Sequence, residues 1–231
     1  MSESGRGRDA ILGRLREAFA RSPEQEAQAI ATVEQRVFHP TPNLIPARGQ
    51  LDLEGRIELF TTMARNVQAE VERLPRLADL PAAVAGFLRR HNLPQKVVAA
   101  PDRLLHQAGF ASQPLLRVRH GDPEETDPVG VTVAFAGIAE TGTLMLCSSA
   151  DRPTLLAFLP ENSLIVLPSA SMFGAYEQAW QELRRVLGRP PRSVNLVTGP
   201  SRTGDIAQKL ELGAHGPKRL CVLLVDDLTP A

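Results

Sequence analysis

The sequence predicts an α/β protein with a mostly parallel sheet, helices on both sheet faces and an N-terminal helical arm. Two observations point to the sheet. Short apolar runs such as Lys96–Ala100, Thr143–Cys147 and Leu220–Asp226 lack in–out alternation, the pattern of strands buried on both faces. Single helical segments separate most of the strands in the second half of the chain, the rhythm of a parallel sheet. A third observation sets the arm apart. Phe38–Gln50 carries Pro40, Pro42, Pro46 and Gly49, so it reads as an extended connector between residues 1–50 and a main domain over 51–231.

In chain order, Met1–Arg8 is polar and expected to lack structure, whereas Asp9–Ala20 places Ile11, Leu12, Leu15 and Phe19 on one helical face. Pro23 suits the first turn of a second helix through about Gln35. The arm is expected to lie on its own domain, with a partner or a second copy as the alternative. Leu53–Leu74 repeats apolar residues at threes and fours and reads as one amphipathic helix. Leu80–His91 reads as another, with Pro81 in its first turn and Asn92 at its end. Lys96–Ala100 is a short strand, Asp102–Ala111 a helical turn, Leu115–Arg119 a strand, and the acidic, proline-bearing Gly121–Pro128 a surface loop. Val129–Phe135 and Thr143–Cys147 are strands. A short helix at Thr154–Phe158 precedes strand Ser163–Pro168, helix Ser171–Leu187 and strand Ser193–Thr198. Helix Thr203–Leu212 and strand Leu220–Asp226 follow.

Composition narrows the function classes. Of 231 residues 43% are apolar, enough for a sizeable core. Lysine plus arginine balances aspartate plus glutamate at 26 each, so no net field draws the chain to nucleic acid or acidic membranes. Aromatic residues are scarce, which removes the stacking platform of a single-strand binder. The two cysteines, Cys147 and Cys221, have no metal-ligand spacing and read as buried thiols in a reducing compartment. No apolar run resembles a secretory signal or approaches a membrane span, so a soluble, cytoplasmic protein is expected.

Three stretches carry candidate chemistry. Val194–Asp205 reads V-N-L-V-T-G-P-S-R-T-G-D: an apolar strand, a turn at Gly199 and Pro200, and then an expected helix start. Such a corner aims unpaired backbone N–H groups and a positive dipole end outward. Gly199, Ser201, Arg202, Thr203 and Asp205 are therefore candidate anion ligands, with Arg202 as the charged fork. An ordinary capped turn with a solvent-facing arginine is the competing reading. Ile138–Thr143, I-A-E-T-G-T, offers Glu140 as base or nucleophile, hydroxyls at Thr141 and Thr143, and close approach at Gly142. A plain glycine turn with a solvated glutamate is the competing reading. Gly213–Pro217, G-A-H-G-P, presents His215 as a proton donor or as a residue favoured beside a helix end. A helix of about ten residues spans roughly 15 Å. His215 would then share a site with Arg202 only across a subunit interface or if the loop folds back.

Together and in this order, the three stretches resemble the lactate-utilisation protein C family, the LUD-domain group, most clearly over about 129–226. The resemblance implies a fold similar to the sugar-phosphate isomerase and CoA-transferase (NagB/RpiA-like) class. It also implies a part in oxidising L-lactate to pyruvate beside partner subunits, one of which carries iron–sulfur clusters. With two cysteines this chain fits the cluster-free subunit, with no cofactor of its own and a small anion as ligand. Two rival readings remain. One is a free-standing enzyme on a phosphorylated or CoA-linked substrate, since Glu140-Thr141-Gly142 resembles the Glu-x-Gly nucleophile of CoA transferases, a fold-level analogy. The other is a non-catalytic assembly module.

Overall fold

The computed structural model describes residues 3–41, 44–203 and 211–228. The chain divides into two compact units, Met1–Asn43 and Leu44–Ala231. The first unit holds α1 (Glu3–Ala18) and α2 (Pro23–Phe38). Ser22 caps α2: its Oγ accepts from Gln25 N at 3.2 Å, and Gln25 Oε1 accepts from Ser22 N at 3.0 Å. Residues 3–8, expected to lack structure, are helical. Once the amphipathic turns from Asp9 onward are formed, each further residue adds one backbone bond to an existing helix.

The second unit contains α3 (Leu53–Asn66), β1 (Glu70–Leu74), α4 (Leu80–Arg90), β2 (Lys96–Ala99), α5 (Arg103–Gln107), β3 (Arg117–His120) and β4 (Val129–Val133). It continues through β5 (Ala136–Ile138), β6 (Thr143–Cys147), a 3-10 turn at Thr154–Ala157, β7 (Asn162–Pro168), β8 (Met172–Phe173) and α6 (Tyr176–Leu187). It ends with β9 (Val194–Val197), β10 (Arg202–Thr203), β11 (Glu211–Leu212) and β12 (Arg219–Val225). Among the described residues no helix is long and apolar enough to cross a membrane.

Six strands form a parallel sheet in the order β1-β12-β7-β4-β2-β3. β12 shows why alternation is missing. Cys221, Leu223 and Val225 pack with Phe87 and Leu88 of α4 and Leu105 of α5. Leu220, Val222 and Leu224 pack with Phe60 and Ala64 of α3 and with Leu144 and Leu146 of β6. Both faces are covered, so both residue parities must be apolar.

Three elements depart from the expected layout. The helix expected over Leu53–Leu74 stops at Asn66; Gln68 takes a positive φ of 68°, and Glu70–Leu74 pairs with β12 along its whole length. The spacing of Val67, Val71 and Leu74 is helical, but E-V-E-R-L also suits an edge strand, and pairing decides the matter. Thr143–Cys147 and Val194–Val197 leave the parallel sheet for a second one, ordered β8-β5-β6-β9, in which β5/β6 and β6/β9 are antiparallel. The four residues 139–142 are too few for a parallel crossover, so the chain must reverse as a hairpin. α6 covers this sheet through Ala179 and Leu183, and its first expected turn is instead β8.

The third departure bears on the site. The expected helix Thr203–Leu212 is absent at both ends, where Arg202 and Thr203 pair antiparallel with Leu212 and Glu211. Residues 204–210 between them lie outside the described residues. The returning chain holds Ser201 on both sides: Ser201 N donates to Pro217 O at 2.9 Å, and Gly213 N to Ser201 O at 3.0 Å. That ladder keeps 201–203 extended.

Candidate functional site

The turn between β5 and β6 is built on its neighbours' backbones. Ala139 N donates to Phe173 O at 2.8 Å and Glu140 N to Gly174 O at 3.0 Å. Gly142 has φ +67°, and a Cβ there would stand 2.4 Å from Ala64 N of α3. The close approach this glycine permits is that of a helix backbone.

Glu140 is buried. Its Oε1 accepts from Tyr176 N at 3.2 Å, the first residue of α6. Its Oε2 lies 3.9 Å from Arg48 Nε. Ala175 at the cap position has no side-chain acceptor, and Gln178 Oε1 takes the Gly174 and Ala175 amides at 2.8 and 3.1 Å. Glu140 thus supplies the missing cap from the β5–β6 turn, with its side chain against the positive end of α6.

Next to it is a cluster of hydroxyls. Thr143 Oγ1, wholly buried, lies 2.7 Å from Thr141 Oγ1, 2.9 Å from Tyr176 OH and 2.7 Å from Thr198 Oγ1. Thr198 is exposed and immediately precedes Gly199. Two of the three candidate stretches, Ile138–Thr143 and Val194–Asp205, are therefore joined through the side chains of Thr143 and Thr198.

At the Gly199–Thr203 corner, Gly199 has φ +75°, and a Cβ would meet Val67 O at 2.7 Å. Arg202, exposed, donates from Nη2 to Val67 O at 3.2 Å, where α3 ends. It lies against the negative end of that helix. Among the described residues, 202–203 are strand and no helix N-terminus stands behind the corner, and the Ser201 amide is already bonded. Among the described residues, the donors at the corner are the Arg202 side chain and the adjacent hydroxyls. Asp205 lies outside the described residues. His215 is exposed on the loop that folds back onto the corner, where Gly216 packs beside Ser201. Among the described residues no ion pair joins Glu140 to Arg202.

Sequence reasoning missed Tyr176, which falls inside the expected helix Ser171–Leu187, and Thr198, which ends the expected strand Ser193–Thr198. The signal for both is weak: a polar group at the start of a helix or the end of a strand. The two cysteines lie in different sheets. Burial pushes the Cys147 thiol up to about 11, with Arg152 pulling the other way. Burial raises Cys221 further.

A parallel sheet with a small mixed sheet beside it, both covered by helices, defines an α/β protein. Residues 124–225 match the LUD domain family model. It is similar to lactate utilization protein C of Shouchella clausii (strain KSM-K16), 30% identical over 145 residues, which is 58% of this chain and 63% of that protein. Lactate utilization protein C of Bacillus subtilis (strain 168) is 33% identical over 102 residues, 43% of this chain and 42% of that protein. The uncharacterized protein YkgG of Escherichia coli (strain K12) is 28% identical over 193 residues, 77% of this chain and 83% of that protein. The chain spans 63%, 45% and 44% of the first three curated relatives it matches. A crystal structure of a DUF162 family protein from Deinococcus radiodurans shares the fold, with a TM-score of 0.58 and 19% identity over 76% of this chain and 99% of that one.

Proposed function

We propose that this chain is the cluster-free subunit of a cytoplasmic L-lactate-oxidising iron–sulfur system. The reading rests on its similarity to lactate utilization protein C, most extensively at 30% identity over 145 residues. Oxidation of L-lactate to pyruvate releases two electrons and two protons, and the electrons need an acceptor. Cys147 and Cys221 sit buried in separate sheets and are not arranged to ligate one cluster. In this reading the acceptor clusters therefore belong to partner subunits. The chain contributes a small-anion site at the Gly199–Thr203 corner, where Arg202 keeps donors beyond its bond to Val67 O. Thr141, Thr143 and Thr198 line the neighbouring wall, and His215 stands on the loop folded against the corner. A free-standing enzyme using Glu140 as nucleophile has less support, because the carboxylate would have to leave the Tyr176 amide.

Two measurements test the proposal. Cluster-bearing proteins are expected to co-purify with the chain from its native cell, and pyruvate to form only when they are present; turnover of lactate by the isolated chain would overturn the subunit reading. Arg202→Ala is expected to weaken lactate binding by about 1.5–3 kcal/mol, the range of a charge-assisted hydrogen bond. Unchanged affinity would remove the corner from the site.

A further inference from the structure

A second concavity lies where the parallel sheet changes direction. β2 connects outward to β3, while β4, β7 and β12 follow on the other side of β2. In open α/β sheets, the crevice beyond the carboxyl ends of two strands whose connections diverge is the usual place for a ligand. Here that crevice holds Asp102, three residues past β2; Thr132 and Val133, which end β4; and the segment leaving β6.

Arg152 is at its centre. Its Nε donates to Asp102 Oδ2 at 2.6 Å, and Asp102 Oδ1 accepts from Leu104 N at 2.7 Å. The two side chains are 21% and 7% exposed. Nε is the only Arg152 side-chain nitrogen bonded among the described contacts, so a guanidinium fixed in orientation still offers both Nη groups. Asn195 also lines the crevice, and its buried Nδ2 has no hydrogen-bond partner among the described residues. Unpaired buried donors are rare in folded proteins, and each needs a reason. Ser148 Oγ accepts from Ser193 N at 2.9 Å, which leaves its own proton free to donate. Guanidinium, amide and hydroxyl converge as donors, and the nearby carboxylate is already paired.

Two neighbouring cavities share Cys147, Ser148 and Arg152 in their lining. The inner niche has room for about one oxygen atom. Cys147, Ser148 and Arg152 also form one wall of an outer cleft of about 230 Å³. Phe135, Leu187, Pro190 and Pro191 supply the apolar part of its lining, with Arg189 alongside. Burial keeps the Cys147 thiol neutral, so it contributes to the wall and adds no charge.

We propose that this cleft binds a small organic acid, its carboxylate held by Arg152 and Asn195 and its apolar body lying between Phe135, Leu187 and the two prolines. A carboxylate places one oxygen in the niche and leaves the other to the guanidinium fork. The site is separate from the Arg202 corner, and the inference does not depend on the lactate reading.

The test is titration of the full chain with hexanoate, with hexanamide as the uncharged control, followed by calorimetry and amide NMR. Hexanoate is expected to bind saturably, with shifts centred on Val133, Cys147 and Asn195, and hexanamide at least tenfold more weakly. The double variant Arg152→Gln/Asp102→Asn removes both charges, so no carboxylate is left unpaired, and is expected to lose hexanoate affinity at least tenfold. Asn195→Ala, on the small sheet, is expected to lose it at least threefold and decides the matter if the double variant does not fold. No saturable binding, equal binding of hexanamide, full affinity in the variants, or shifts centred on Thr198–Thr203 would each overturn the proposal.

Discussion

Glu140 and Tyr176 meet across two elements: the Glu140 carboxylate accepts the Tyr176 backbone N–H at 3.2 Å, at the start of α6. A carboxylate from the β5–β6 turn thereby serves as the N-terminal cap that Ala175 cannot provide.

This role separates two replacements. Glu140→Ala removes the acceptor and is expected to destabilise the protein by about 0.5–2 kcal/mol, as loss of a cap does. Glu140→Gln keeps an acceptor and loses only the charge, and is expected to lose about 0.3–1 kcal/mol. Urea midpoints at unchanged slope measure both. Equal losses in the two variants would mean that the hydrogen bond contributes nothing beyond the charge.

The glycines make a sharper comparison. At Gly142 an added Cβ meets Ala64 N at 2.4 Å, and at Gly199 it meets Val67 O at 2.7 Å, both at positive φ. Gly109 has a similar φ of +74° with nothing within 4 Å. Alanine at 142 or 199 should therefore destabilise by about 1–3 kcal/mol more than alanine at 109, because overpacking adds to the shared backbone strain. Thermal melts of the three variants decide it, and equal losses would refute the packing against α3.

The thiols predict an alkaline limb. Cys147 deprotonates near 11 in the folded chain, against about 8.5 in an unfolded one. The unfolded state releases its proton first, so stability is expected to fall as pH rises from about 8.5 to 11. Cys221, raised in the same direction, adds to the fall. The Cys147→Ala/Cys221→Ala variant should show a flatter profile of melting temperature over that range. Iodoacetamide should alkylate the folded protein slowly at neutral pH and quickly once it is unfolded.

Much of the architecture was legible in local pattern. The doubly buried β12, the capped α2, the helix at 80–90 and the loop at 121–128 each follow from spacing and turn chemistry within a few residues. Two segments were not legible, because their periodicity was genuinely helical while their partners lay far away. β1 is a strand because β12 pairs with it, and Arg202–Thr203 is a strand because Glu211–Leu212 and the Gly213–Pro217 turn return to it. The candidate site was legible as three stretches and illegible as a geometry. Gly142 reads as a point of close approach and Gly199 as a turn, yet nothing local says that the group approaching both is α3 and its C-terminal end.

By itself the sequence determined which runs are buried, where the chain must turn and that a parallel sheet would be covered on both faces. These depend on solvation and backbone sterics, which act residue by residue. Only the tertiary structure decided that Glu140 meets α6, that Arg202 meets the end of α3 and that Arg152 finds Asp102 at the divergence of β2 and β4. The reason is that a polar side chain is satisfied by whichever partner the strand order brings within about 3 Å, and strand order is a property of the whole sheet.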